Sequence, residues 1–117
     1  MFTEKGTLPN GVEFNGVTHR DFEIREQIVA DSINVFDDPE QAERAMKNQL
    51  YANLCVTANM FLSLGTIPKK EITADLLMDA LQEDQNEISD AEKRLAIKRL
   101  NFRKEKEKQP PTDTPAS

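Results

Sequence analysis

The chain has 117 residues and a formal net charge of −6, with 38% hydrophobic and 31% charged residues. That length suits one small domain with a thin core and excludes two separate cores. A single Cys and a single His exclude an internal disulfide and a structural zinc site, and no stretch is long and apolar enough for a membrane span.

The N-terminal sequence MFTEKGTLPNG lacks the apolar region of a signal peptide. We therefore expect a cytoplasmic protein.

Residues 8–25 are predicted to form a β-hairpin. Asn15-Gly16 separates two short apolar runs, and this dipeptide supplies the positive φ angles of a type I′ turn. Pro9-Asn10-Gly11 predicts an earlier turn. His19 has no neighbouring residue that would make it a general base, so we expect an exposed strand histidine.

Residues 28–37 switch to helical spacing, with Val29, Ile33 and Phe36 at i, i+4 and i+7. The segment is short, and Asp37-Asp38-Pro39 ends it.

A long helix is predicted over residues 39–64. Asp38 can cap it, Pro39 suits its first position, Gln41 can complete a capping box, and Gly65 ends it. Its core face combines seven residues within an arc of about 140°: Leu50, Tyr51, Leu54, Cys55, Ala58, Phe61 and Leu62. Cys55 is therefore read as a small buried apolar group and not as a nucleophile.

The opposite face of the same helix carries a second apolar stripe, because Val56, Met60 and Leu64 recur at four-residue intervals. Contact with another helix of the same fold is one explanation. A partner groove or a dimer seam is the other.

Two further helices complete the prediction. Thr73 can cap a short helix over residues 74–81, and the last helix covers residues 84–106. The capping pattern Ser89 to Glu92 either opens that helix or lies inside it. The expected seam is Ile88, Ala91, Leu95 and Phe102, with Ile97 and Leu100 to one side.

The expected fold is α+β and mainly α. It has an N-terminal β-hairpin packed on a small bundle of three to four helices, within a single domain over residues 1–108. Residues 109–117 are rich in Pro and poor in apolar side chains, so we expect a disordered tail.

Charge is unevenly distributed along the chain. Residues 93–108 hold eight basic and two acidic side chains, directly after seven acids in residues 75–92. This pattern matches a helix dipole, which favours acids at the start and bases at the end. A nucleic-acid contact is the alternative, and the acidic total and the lack of stacking aromatics beyond Phe102 disfavour it.

The sequence offers no constellation for catalysis, no cofactor motif and no metal-ligand spacing. Neighbouring carboxylates such as Asp37-Asp38 and Glu83-Asp84 are expected at helix starts in so acidic a chain. The protein is therefore predicted to act by contact and not as an enzyme.

Over about residues 8–100 the chain resembles the Mu-like tail assembly chaperones of contractile-tailed phages, a group that includes protein E of temperate coliphages. The resemblance is carried by residues 8–33 and 67–81. The shared features are an LP-x-G-V hairpin, an R-E pair, an early Asp in the short helix, and a P-x-x-E-[IL]-T entry to a D-L-L helix. Here they are Leu8 to Val12, Arg25-Glu26, Asp31, Pro68 to Thr73 and Asp75 to Leu77. The chain differs at Ile28, where many members place a capping Thr, and over residues 103–117.

The resemblance implies a non-enzymatic chaperone in the host bacterial cytoplasm. Such proteins hold the tape measure protein until tail tube subunits replace them, and they are absent from the mature virion. Many are also made as a longer, frameshifted version, a second expected partner. The residues that we expect to contact the partner are Val56, Met60, Leu64, Ile97, Leu100 and Phe102. A homo-oligomer remains open, and a small structural or completion subunit of a phage tail is the alternative function.

Overall fold

A computed structural model of the chain describes residues 1–108 and contains a three-stranded antiparallel sheet and five α-helices in that range. The predicted α+β fold with an N-terminal hairpin is confirmed. The elements in chain order are β1 (Thr3–Phe14), β2 (Val17–Arg25), α1 (Val29–Ile33), a 3₁₀ turn (Asn34–Phe36), α2 (Pro39–Lys47), α3 (Gln49–Met60), β3 (Phe61–Leu64), a second 3₁₀ turn (Lys69–Glu71), α4 (Ala74–Met78) and α5 (Gln82–Glu107).

The Asn-Gly turn of the hairpin is confirmed. Asn15 and Gly16 join β1 to β2 with φ angles of 51° and 78°, which a type I′ turn requires at both central positions. The hairpin is longer than predicted, because β1 begins at Thr3 and pairs there with Arg25.

Pro9-Asn10-Gly11 forms a bulge within β1, so the predicted turn at this point is wrong. The pairing register shifts between Thr7 and Val12, and Gly11 has a φ of 94°. The two bulged N–H groups of Asn10 and Gly11 donate to the Asp84 carboxylate of α5 at 2.9 and 3.0 Å. The irregular part of β1 is thus fixed by the last helix and not by a reversal of the chain.

The long helix predicted over residues 39–64 is wrong. Asn48 divides it, because its backbone is extended and its side chain accepts hydrogen bonds from the N–H groups of Leu50 and Tyr51 at 3.0 and 3.2 Å. This is N-capping of a new helix. The chain then leaves α3 at Met60 and forms β3, which pairs with β2.

The start of α2 is confirmed in part. The Asp38 carboxylate accepts from the Glu40 N–H at 3.0 Å, and Pro39 is the first helical residue. Gln41 does not complete a capping box, because its side-chain amide donates instead to the Val35 carbonyl at 2.9 Å.

The hydrophobic core lies between the sheet and α5, which packs against β1. Its largest fully buried side chains come from both strands and helix: Leu8, Ile24, Phe61, Leu64 and Ile88. A second cluster joins the first 3₁₀ turn, α2, α3 and α4 through Val35, Ala45, Tyr51, Cys55 and Ala74. Cys55 is buried, as predicted.

Two members of the predicted core face are on the surface. Leu50 is 79% exposed and Leu62 is also exposed. Leu50 lies in the first turn after the Asn48 break, and Leu62 lies in β3, where successive side chains point to opposite faces.

The helix α5 contains the predicted seam. Ile88, Ala91 and Leu95 are buried, whereas Phe102 is 40% exposed. Ser89 lies in the helix interior, so the capping pattern there does not open the helix. Thr73 caps α4 by accepting from the Leu76 N–H, and that helix ends at Met78. The predicted disordered tail, residues 109–117, lies outside the described residues.

Candidate partner-binding surface

His19 and Cys55 do not occupy reactive positions in the described part of the chain. The expectation of an exposed histidine is wrong: His19 is buried, and its Nδ1 atom accepts a hydrogen bond from the Thr66 N–H at 3.3 Å. Burial raises the pKa of the Cys55 thiol, which disfavours the nucleophilic thiolate.

Within residues 1–108, no three His, Cys, Asp or Glu side chains are grouped so that they could hold a metal ion.

Among the described helices, none combines the length and the apolar character needed to cross a membrane.

The stripe of Val56, Met60 and Leu64 is not a continuous exposed face. Leu64 is completely buried in β3, and Met60 is 5% exposed at the end of α3. The stripe is predicted for an uninterrupted helix. Because the chain changes from helix to strand at Phe61, the side chain of Leu64 points into the core. Only Val56 is partly exposed.

Val56 and Met60 instead belong to a groove beside α3. We define the apolar groove by Ala52, Val56 and Met60, at four-residue intervals on α3, together with Phe36 and Met46. Polar side chains line the rest of the same space: Gln27, Ser32, Gln49, Asn53, Thr57 and Glu92. Its volume is about 500 Å³. The three α3 residues span about 12 Å, since an α-helix rises 1.5 Å per residue. The groove therefore extends along about two turns of α3.

The rim of the apolar groove is exposed. Phe36 is 52% and Met46 is 78% accessible to solvent. Val29 and Ile33, on the preceding helix α1, are exposed as well. Val29, Ile33 and Phe36 thus repeat at helical spacing and all face solvent.

The exposed rim of this groove is not predicted from the sequence. The helical spacing places Phe36 on the apolar stripe of a short helix, and it gives Met46 no role on the long helix. The local signal in the sequence is Asn48, a preferred N-cap residue, which separates α2 from α3.

Ile97, Leu100 and Phe102 lie near the end of α5, where Ile97 and Leu100 share one face of the helix and Phe102 lies on another. All three are at least 40% exposed. The Phe102 ring meets the Phe2 ring edge-on, with 5.6 Å between centroids, and the Arg99 guanidinium lies over both rings. Phe102 therefore holds the N-terminus against the helix and is only partly free for a partner.

A further apolar area was not anticipated. Leu50, Met78 and Leu81 are each more than half exposed. Leu50 and Met78 border a cavity of about 410 Å³ between α3, α4 and the start of α5. The helical pattern predicts a core position for Leu50. Its exposure therefore removes one side chain from the predicted interior.

Three basic side chains of residues 93–108 form ion pairs with carboxylates in the N-terminal part of the same chain. Arg94 and Lys98 both contact the Glu4 carboxylate, and these partners lower its pKa. Arg99 binds Glu26. These three partly exposed cations are already paired within the chain, which weakens the nucleic-acid alternative for residues 93–108.

The comparisons with known proteins give no relative: no family model matches the chain, and no curated protein or solved structure is significantly similar to it. The likeness to tail assembly chaperones therefore remains a resemblance between short sequence motifs.

Proposed function

We propose that this protein is a phage tail assembly chaperone that binds helical segments of the tape measure protein and keeps them soluble until the tail tube forms. The observation that carries the proposal is the apolar groove, with Val56 and Met60 inside and Phe36 and Met46 exposed at its rim.

The groove has the properties that a helix-binding site needs. An amphipathic helix buries apolar anchors at i, i+3 or i+4 and i+7 in a hydrophobic groove. Methionine at both the rim and the floor suits a partner whose anchors vary along its length, because its side chain is unbranched and polarisable. The short groove implies modest affinity, which a chaperone requires if tube subunits are to displace it.

The remaining surface supports a holding function. The net charge of −6 favours solubility of the chain and of a complex that it forms. The exposed apolar residues of α1 lie next to the groove in sequence and extend the area that a long helical partner can cover.

The test is co-expression with the tape measure protein encoded in the same genome, followed by size-exclusion chromatography. We expect the two to co-elute, and the partner to be insoluble when expressed alone. A wild-type chain that neither co-elutes with the partner nor improves its solubility would refute the proposal. Mass spectrometry of purified particles would then test the structural-subunit alternative, because such a subunit stays in the virion.

The groove itself is tested with rim variants. Phe36→Asp and Met46→Asp place a charge on exposed positions and should abolish co-elution without unfolding the chain. Val17→Asp is the matched control, because Val17 is also more than half exposed but lies at the tip of the hairpin. Equal binding by all three variants would move the binding site away from the groove.

A further inference from the structure

The apolar groove contains a carboxylate from α5. Glu92 is partly buried where the groove meets a second cavity of about 310 Å³, and it lines both spaces together with Gln27 and Met60. Its neighbours on the inner side are apolar, since Met60 and Leu95 are both buried. The second cavity is also lined by charged side chains, those of Glu26, Arg99 and Arg103.

Glu92 differs from the other carboxylates on this side of the sheet. The Glu26 carboxylate is held by the Arg99 guanidinium, and that of Glu4 by two basic side chains of α5. For Glu92, burial alone acts on the pKa and raises it, with no offsetting hydrogen bond or cation from the described residues. An acid in such a place costs free energy when it is ionised.

The two arginines that line the second cavity with Glu92 form no ion pair with it. Arg99 lines the second cavity but donates two hydrogen bonds to Glu26, at 2.7 and 2.8 Å. Arg103 lines the same cavity but lies eleven residues further along α5, about 16 Å in a straight helix. The carboxylate is thus left for a charge that comes from outside the chain.

We propose that Glu92 binds a Lys or Arg side chain of the partner helix, so that the groove selects amphipathic helices with one basic residue on the apolar face. This inference rests on the proposed function, because it takes the occupant to be a helix of the tape measure protein. The long methylene stem of Lys or Arg can lie against Met60 and Leu95 while the cation reaches the carboxylate. The pair would be shielded from water by the bound helix, where a charge-assisted hydrogen bond is strong.

The direct test uses two synthetic 18-residue amphipathic peptides that differ at one central position of the apolar face, Lys in one and Met in the other. Fluorescence anisotropy with the full chain should show about tenfold tighter binding of the Lys peptide. Glu92→Gln should remove this preference. Glu13→Gln should keep it, because Glu13 is an exposed glutamate of the hairpin and its substitution changes the net charge equally.

Three results would overturn the inference. The first is that the Met peptide binds the wild-type chain as tightly as the Lys peptide does. The second is that Glu92→Gln tightens the binding of both peptides, and the third is that neither peptide binds. Tighter binding by Glu92→Gln would mean that the occupant is purely apolar and that Glu92 only loses its hydration on binding. Denaturant unfolding of Glu92→Gln should match or exceed the wild type, which separates a binding effect from a folding effect.

Co-elution with the tape measure protein distinguishes failure of this inference from failure of the proposed function. If the tape measure protein co-elutes but the two peptides bind alike, the chaperone function stands and the role of Glu92 is wrong. If the tape measure protein does not co-elute but the Lys peptide is preferred through Glu92, the groove binds a basic amphipathic helix of another protein.

Discussion

Glu26 and Arg99 form a two-point ion pair across the fold, although 73 residues separate them in sequence. The Arg99 guanidinium donates to the two carboxylate oxygens at 2.8 and 2.7 Å, and the backbone N–H of Phe2 donates to the same carboxylate at 2.8 Å. The pair joins the start of the chain, the segment after β2 and the last third of α5. The basic residues 93–108, a pattern that could suggest nucleic-acid binding, thus also hold α5 against the N-terminal part of the chain.

This ion pair should make stability depend on acid pH. The Arg99 hydrogen bonds, followed by the Phe2 N–H, lower the pKa of Glu26 from 4.5 to about 2. The unfolded chain therefore binds a proton at higher pH than the folded chain does. The stabilisation is fully present above pH 4.5 and is lost as the pH falls toward 2. Urea unfolding at several pH values should show Glu26→Gln less stable than wild type near neutral pH, with the difference vanishing in acid.

Glu13→Gln is the control for the pH series, since Glu13 is exposed on β1. Its difference from wild type should be small and nearly constant across the same pH range. A Glu26→Gln difference that persists unchanged at pH 2 would contradict the assignment.

Asp84 should stabilise the hairpin more than a carboxylate in the first turn of a helix usually does. The side chain is fully buried and accepts from the N–H groups of Asn10 and Gly11. Asp84→Ala leaves both donors without this acceptor, and we expect a loss of about 3 kcal/mol in the free energy of unfolding. Hydrogen exchange should show faster exchange at these two amides. Asp90→Ala, an exposed change on the same helix, should cost less than about 0.5 kcal/mol, and an equal loss in both variants would rule out a special role for Asp84.

Gly65 should tolerate no side chain. Its φ is 54°, and a Cβ there would overlap the His19 ring. We expect Gly65→Ala to destabilise the fold by about 2–4 kcal/mol. Gly16→Ala is the matched control, since Gly16 also has a positive φ but has open space around it, and about 1 kcal/mol is expected. Thermal unfolding measures both, and a His19→Ala background should bring Gly65→Ala close to the Gly16 value if the ring is the obstacle.

Local chemistry made the hairpin turn and the helix caps predictable. The Asn15-Gly16 turn and the Asp38 and Thr73 caps need only a few adjacent residues, and all three are confirmed. The break at Asn48 also had a local signal, because Asn is a preferred N-cap. The apolar periodicity on either side of Asn48 nevertheless predicts one helix in place of two.

Features that depend on distant partners could not be predicted in the same way. Residues Phe61 to Leu64 continue a helical pattern, and they become a strand because β2 offers an edge for pairing. His19 is buried because Gly65 and Thr66, far along the chain, close over it. Most residues of the groove, from Met46 to Met60, come from the segment that the sequence pattern predicts as one helix and that Asn48 divides into α2 and α3.

The same rearrangement changes how the groove must be tested. Met60 was a candidate contact residue, but at 5% exposure it also belongs to the interior, whereas Met46 on the rim is 78% exposed. We expect Met60→Ala to lower the free energy of unfolding by about 2–4 kcal/mol and Met46→Ala to change it by less than about 0.5 kcal/mol. Denaturant titration measures both, and partner binding is then compared only for variants that remain folded. A stable Met60→Ala variant would mean that this side chain is available to a partner after all. An unstable Met46→Ala variant would mean that the rim is part of the core and that its exposure does not mark a binding surface.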